Sequence, residues 1–268
     1  MVNEMSIIYT KESLIAKLKE IRSMGWIQGR DTRNDGNVGN TLEDLLGITE
    51  NNLPIPNAAE WELKTQRKNT ASLMTMFHME PSPRALRLVP QELIPIYGWK
   101  YDKRNRAGER YAEKEKSFRM TMNAVSPTDR GFKIKVDKNE RKLIVDFDEN
   151  AVDPRHSDWL EMVKLNLSNF KDYVAPYWGF DDVFHKAGKK LPNCFYVVAD
   201  NKVENGREIF LYEKIYKLSH FSLDKFIKAV KNGIIYIEFD ARMGHNHGSK
   251  FRMKNGGLQN LYDDIEVI

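Results

Sequence analysis

The 268-residue chain predicts a mixed α/β fold, and three observations carry that expectation. Apolar residues recur at helical spacing over 11–23, polar and apolar residues alternate at strand spacing in WELKT (61–65) and GFKIKV (131–136), and the last third interleaves the two patterns. Hydrophobic residues make up 41% and charged residues 30%, the balance of a globular chain able to bury its own core. One domain over 1–268, carrying a lobe, is therefore expected.

Leu14, Ile15, Leu18 and Ile21 mark the first helix, which Gly25 and the glycine-rich GRDTRNDGNVGN bring to an end. Thr41 stands before LEDLLG with Asp44 three residues on, a capping-box-like start for a short helix that stops at Gly47 and holds Glu43 in its first turn. NNLPIPNAAE then leads into WELKT, in which Trp61, Leu63 and Thr65 face one side of a strand and Glu62 and Lys64 the other. The middle reads as mostly extended. GFKIKVDKNERKLIVDFD forms a hairpin turning at DKNE, and SDWLEMVKLNL a helix. The tail gives a strand at CFYVVAD, a turn at Asn205-Gly206, a strand at REIFLYEKIYKL, a helix at SLDKFIKAVKNG capped by Ser222 and stopped by Gly233, and a final strand at IIYIEFDARM.

No apolar run approaches the roughly 20 residues of a membrane span, and MVNEMSIIYTKES lacks the basic start and apolar core of a signal peptide, so a cytoplasmic protein is expected. The single cysteine, Cys194, sits in the apolar run CFYVVA, the setting of a buried structural thiol rather than a nucleophile. The net charge of +4 favours a polyanionic partner only mildly. Its distribution says more: 100–119 and 242–254 gather Arg, Lys and His among aromatics, as a phosphate-tracking surface requires. The first stretch also carries Asp102, Glu109, Glu113 and Glu115, which fits a solvated charged face equally well.

Hydrolysis of a phosphodiester needs a cation to offset developing charge, an activated water and groups that position both. Glu62 can hold a hard cation such as Mg²⁺, and Lys64, two residues on and on the same strand face, can orient or deprotonate the attacking water and contact phosphate oxygens. Taken alone, the same E-x-K triplet describes a surface ion pair.

GNVGNTLEDLLGITENN, followed by PIPN and WELKT, resembles the MvaI/BcnI-like restriction endonucleases, kin to the mismatch-repair nickase MutH. Those proteins share a G-x-x-G-x-x-LE-x-x-LG stretch and a Pro-Asp pair a few residues before an E-x-K strand. Here Pro56-Asn57 stands before Glu62, and FDARMGHNHGSKFRM resembles the family's C-terminal region. The resemblance implies a PD-(D/E)XK restriction-endonuclease-like core, mainly within 10–90 and 190–240, with a DNA-recognition lobe near 97–150 and 240–254. It implies Mg²⁺-dependent, sequence-specific cleavage of double-stranded DNA at a short CCNGG-like site by a monomer that nicks the strands in sequence. It also implies a bacterial or archaeal source with room for a companion DNA methyltransferase.

The same resemblance makes Asn57 and Glu62 the metal ligands, Lys64 their catalytic partner and Glu43 a further acidic group nearby. The sequence departs from the pattern at Asn57, whose amide oxygen can coordinate magnesium but brings no negative charge. Three readings follow: an engineered inactivating change, a natural loss of activity, or a tolerated variant in which Glu60 or Glu43 supplies the missing charge. A catalytically dead, sequence-specific DNA-binding protein is the alternative function, and a MutH-like nickase, which would need a partner protein, a third.

Bases in the major groove are read chiefly by Arg or Lys on guanine and Asn or Gln on adenine. Arg242, His245, His247, Lys250 and Arg252 are the candidates, with Gly244 and Gly248 permitting close approach. A His-x-His pair also suits a transition metal or an exposed turn. His78 follows the apolar SLMTMF run and is expected either near the groove or buried and satisfied. Lys100, Tyr101 and Arg119 suit phosphate contacts, while Trp99 and Phe118 suit packing, and Met74, Met76 and Met79 core filling.

Overall fold

A computed structural model describes residues 9–31, 34–48, 61–101, 112, 114–170 and 173–268. Asn57 and Glu60 lie outside the described residues. In chain order the elements begin α1 (Lys11–Ser23), β1 (Ile27–Gln28), α2 (Asn37–Leu45), β2 (Trp61–Arg67), β3 (Met74–His78), α3 (Ile94–Tyr97), β4 (Trp99–Lys100) and β5 (Lys116–Met122). They continue β6 (Arg130–Asp137), β7 (Lys142–Val152), α4 (Ser157–Asn169), β8 (Tyr177–Gly179), α5 (Phe180–Lys190), β9 (Asn193–Glu204) and β10 (Arg207–Phe221). The last are α6 (Leu223–Lys231), β11 (Ile235–Arg242), β12 (His245–Met253) and β13 (Tyr262–Val267). This is the mixed α/β chain that the periodicities predict, and its packing divides it into two compact units: Met1–Met74, Phe184–Phe226 and Met253–Ile268, and Thr75–Val183 and Ile227–Arg252.

The first unit is built on a sheet of order β1-β10-β9-β2, with β13 also paired to β10. β2 runs parallel to β9, and β10 is antiparallel to each strand it pairs with. Asn205 (φ 50°) and Gly206 (φ 78°) turn β9 into β10, both in the left-handed region that a two-residue type I′ turn demands. Leu14, Leu18 and Ile21 of α1 and Val38 and Leu42 of α2 bury against Leu63, Phe195, Val197, Phe210, Tyr212 and Ile215. Packing between a helical stripe and an alternating strand face fixes which side of β2 turns inward. Gly29 admits no side chain, because a Cβ would stand 2.7 Å from Phe210 Cε2 and 2.9 Å from the Glu208 carbonyl.

Two expectations change here. The second helix starts four residues before Thr41, with Gly36 at its N-cap and its carbonyl accepting from Gly39 and Asn40 N–H. Thr41 is buried within the helix; its hydroxyl donates to Asn37 Oδ1 (3.4 Å) and accepts from Arg30 N–H (3.3 Å), so Glu43 falls in the second turn. The helix forms despite the weak helix formers Asn37, Gly39 and Asn40, and Asn37 Nδ2 holds its start by donating to Glu208 (3.3 Å), a tertiary bond that local propensity does not register.

In the second unit, one sheet has the order β3-β12-β11-β5-β4 and another the order β6-β7-β8. Phe118 meets Phe132 and Phe239 edge-on, and Trp178 meets Phe251 edge-on, in an aromatic core. The hairpin expected at DKNE is β6–β7, and SDWLEMVKLNL lies within α4. The middle is not simply extended: Val89–Leu93 and α3 are helical, each with a proline in its first turn, where the missing N–H costs nothing. Those prolines hid the helix. IIYIEFDARM is not the last strand, since β12 and β13 follow, and Arg242–Lys254 forms the turn and return strand of a hairpin rather than a loop.

Candidate active site and charged sheet face

β2 carries Glu62, Lys64 and Gln66 on one face while Trp61 and Leu63 pack toward the helices, Trp61 with its ring 4.6 Å from Phe195. Glu62 is 2% exposed. Lys64 Nζ lies 2.8 Å from Glu62 Oε1, and Lys190 Nζ, from the last residue of α5, lies 3.2 Å from Oε2. Among the described residues two ammonium groups face this carboxylate, and Oε2 accepts no hydrogen bond. A buried carboxylate oxygen without a donor costs about 1–3 kcal/mol unless something else satisfies it.

Around the pair the surface is polar but unreactive. Cys194 stands opposite Glu62 in the β2–β9 register, fully buried, and its thiol is pushed well up by burial and next by the Glu62 charge. It stays protonated, a structural thiol as its apolar run implied. Tyr196, opposite Lys64, donates to Gln66 Oε1 (2.8 Å), and burial pushes its phenol up to about 12. At the far end of β2, Arg67 grips Glu208 through two parallel bonds (2.7 and 2.8 Å) and donates to the carbonyls of Asp35 and Asn34. Hydrogen bonds from Arg67 hold the Glu208 carboxyl below its ordinary range against the opposing effect of burial.

The test for a metal rests on Glu62. A buried, unsatisfied carboxylate oxygen suits a hard divalent cation, which takes oxygen ligands and retains water. No cluster of three or more His, Cys, Asp or Glu side chains able to hold a metal occurs among the described residues.

A second charged surface lies on the sheet of the other unit. Along β11 the residues Ile235, Ile237, Phe239 and Ala241 are buried, which leaves Glu238, Asp240 and Arg242 on the opposite face. Lys250 Nζ bridges Glu238 and Asp240 (3.2 Å each), Arg252 donates to Glu238, and Arg119 donates to Asp240 and to the Tyr101 hydroxyl (2.7 Å). Burial raises the Asp240 carboxyl pKa, but hydrogen bonds from Arg119 and Lys250 outweigh it and hold the carboxyl low. Arg242 pairs with Glu115 (2.9 Å). At the start of β12, His245 and His247 are exposed with their Nε2 atoms 3.0 Å apart. Glu80 accepts from Ser249 N–H (2.8 Å) and Asn246 Nδ2 (3.4 Å), tying that end of the hairpin to the chain after β3.

Residues 15–262 match the MvaI/BcnI restriction endonuclease family along nearly the whole chain. The chain belongs to this family. It is a restriction endonuclease by descent, and the family implies a DNA nuclease. A solved structure described as the restriction endonuclease MvaI–cognate DNA substrate complex is similar over 97% of this chain and 99% of that one, at 22% identity and a TM-score of 0.70. Restriction endonuclease MvaI in the absence of DNA is similar over 98% and 100%, at 23% identity and a TM-score of 0.50. These likenesses concern the fold. No curated protein matches the chain. No helix among the described residues is long and apolar enough to cross a membrane.

Of the residues that the sequence singles out, the structure brings Glu62 and Lys64 together and puts Glu43, half-buried, on α2, which packs against β2. Arg119, Lys250 and Arg252 share one ion-pair network with Tyr101 at its margin, and His78 stands near the hairpin, its Cδ2 3.7 Å from where a Gly248 Cβ would lie. His78 is exposed, which removes the buried reading of it. Lys100 is exposed on β4, opposite Lys116. Trp99 packs against Phe118 and beneath the Arg130 guanidinium, which is 4.5 Å from its ring. Sequence reasoning missed Lys190, Glu238, Asp240 and Glu80. Alternation in IYIEFDAR could have flagged Glu238 and Asp240, whereas nothing local marks Lys190 as a neighbour of Glu62.

Proposed function

We infer that the chain is a Mg²⁺-dependent, site-specific endonuclease of double-stranded DNA, with a PD-(D/E)XK core around Glu62 and Lys64 and base reading by the β11–β12 face. The observation that carries this reading is the buried Glu62 carboxylate, one oxygen held by Lys64 and the other beside Lys190 but accepting no hydrogen bond. Glu62 and Asn57 would hold the cation, which when bound would offset charge on the phosphate and acidify a water. Lys64 fixes the Glu62 rotamer through its ion pair and presents an ammonium to a phosphate oxygen or the attacking water. Lys190 is a positioning residue that balances Glu62 from the other side. On the reading face, Glu238 and Asp240 fix the cations that address guanine, and their remaining lone pairs suit the cytosine amino group. A short CCNGG-like site accords with that mixture of donors and acceptors.

One hydrolytic centre cuts one strand at a time, so a monomer nicks, reorients and nicks again. Incubation of the chain and of its Asn57→Asp variant with supercoiled mixed-sequence plasmid and Mg²⁺ tests the reading. Discrete fragment ends, preceded by an open-circular intermediate and formed faster by the variant, are expected. Random ends, or simultaneous cutting of both strands at dilute protein, would overturn specificity or the monomer respectively. Asn57 itself favours a second reading, a DNA-binding protein that no longer cuts. Tight binding of one sequence without cleavage by either form in Mg²⁺ or Mn²⁺ would establish it.

A further inference from the structure

The chain after β3 and the turn into β12 enclose a hollow of about 300 Å³, lined among others by Arg84, Arg87, Arg242, His245, Asn246 and Glu80. Its charges are not balanced. Glu80 is already engaged by Ser249 and Asn246, and Arg242 by Glu115. Arg84 and Arg87 are exposed and form no ion pair among the described residues; Glu80, held by neutral donors, keeps its own charge, so the two guanidinium groups leave the hollow with a net positive lining. An adjoining hollow of about 430 Å³ shares Pro90 and Gly244 and adds Lys114 and Lys116, which extends the cationic lining.

Backbone geometry sets Arg87 apart. It closes the single helical turn Arg84–Leu86 at φ 48°, ψ 50°, its N–H donating to the Arg84 carbonyl (3.1 Å). That left-handed conformation costs a non-glycine residue roughly 1–2 kcal/mol, and a glycine would adopt it freely. The long cation is kept although no internal contact of its guanidinium repays the conformation.

We propose that Arg84 and Arg87 clamp backbone phosphates of double-stranded DNA beside the His245–His247 hairpin end, fixing its register without reading sequence. This rests on the reading of the chain as a DNA-binding nuclease. Two kinds of cation distinguish the surface. Arg119, Lys250 and Arg252 are held rigidly by carboxylates, as base discrimination requires. Arg84 and Arg87 are exposed and form no ion pair among the described residues, which serves a phosphate, an acceptor that is approachable from many directions and the same at every sequence. The concavity lets both reach one strand's backbone, and the turn needs no base within range to gain that interaction.

The experiment measures duplex binding by fluorescence anisotropy across a series of KCl concentrations, without divalent cation, for the full chain and for Arg84→Gln, Arg87→Gln and the double variant, on several unrelated duplexes. Removing one arginine–phosphate pairing should lower the slope of log K against log salt by about 0.9, so the double variant should show a decrease of about 1.8, equal on every duplex. Arg84→Lys and Arg87→Lys should keep the slope, and matching thermal melts would show that all forms fold. An unchanged slope in the double variant, with the parent chain binding normally, overturns the clamp alone. A decrease confined to one sequence makes these arginines base readers and also overturns it. Failure of the parent chain to bind any duplex overturns both the clamp and the DNA-binding reading beneath it.

Discussion

Glu62 is the residue on which the proposed chemistry turns, and its surroundings show how a carboxylate is accommodated while almost wholly enclosed. An isolated buried charge is costly by several kcal/mol, and here two ammonium groups offset it. The two differ in kind: Lys64 hydrogen-bonds from the same strand, whereas Lys190 lends charge from a helix end without occupying an oxygen lone pair. Lys190 therefore sits where its charge competes with a divalent cation. Lys190→Met should bind Mn²⁺ about tenfold more tightly, a change of about 1.4 kcal/mol, as followed by electron paramagnetic resonance of the free ion. Lys64→Met should relieve the same repulsion and yet impair cleavage. Equal Mn²⁺ affinity in the parent and Lys190→Met would show that this ammonium does not oppose the metal.

At the scale of elements, β2 is useful only if its register is fixed, and Arg67–Glu208 fixes it. The pair joins β2 to β10, and through the carbonyls of Asp35 and Asn34 and the Asn37 amide it also secures the entry to α2. Arg67 holds the Glu208 carboxyl below the ordinary value of 4.5, so the stabilisation is present above that value and is lost as pH falls through the folded one. Glu208→Gln should cost about 3 kcal/mol at neutral pH, since it strands a mostly buried guanidinium. The difference from the parent in urea unfolding should shrink as pH falls below 4.5 and through the lower folded value, where the parent's Glu208 also loses its charge. A deficit that does not shrink on acidification would assign the loss to packing instead. This knot is not legible in the sequence, because its members are separated by up to 174 positions in the chain. What can be read is local: alternation in WELKT, the Asn205-Gly206 turn, the Ser222 cap and the Gly233 stop. Where tertiary bonds override propensity, at Asn37–Asn40, or prolines lie in first turns, at Pro90 and Pro95, local pattern misleads.

For the whole molecule, the division into two units separates two charged clusters that the sequence mingles. The Glu62–Lys64 pair belongs to one unit and the Glu238–Asp240–Lys250–Arg252 network to the other, although the chain passes between them four times. The E-x-K triplet is visible in the sequence because both of its members sit on one strand. The charged face of β11 and β12 is only half visible, its cations evident from composition and its carboxylates hidden in an apolar strand. The stretch 36–47 folds as α2 with its cap and closing turn, and Val38 and Leu42 carry it into the core.

The strand that carries Glu62 and Lys64 has a further property, unrelated to DNA. Among the described residues β2 is the terminal strand of its sheet, paired only with β9, so its other margin offers unmet backbone donors and acceptors to any strand that drifts near. Charged side chains along such a margin discourage self-association. Glu62 is buried, so Lys64 is the member of the pair nearer to solvent, and Lys64→Met should raise concentration-dependent light scattering several-fold. Equal scattering by the parent and the variant would show that this charge does not keep copies of the chain apart.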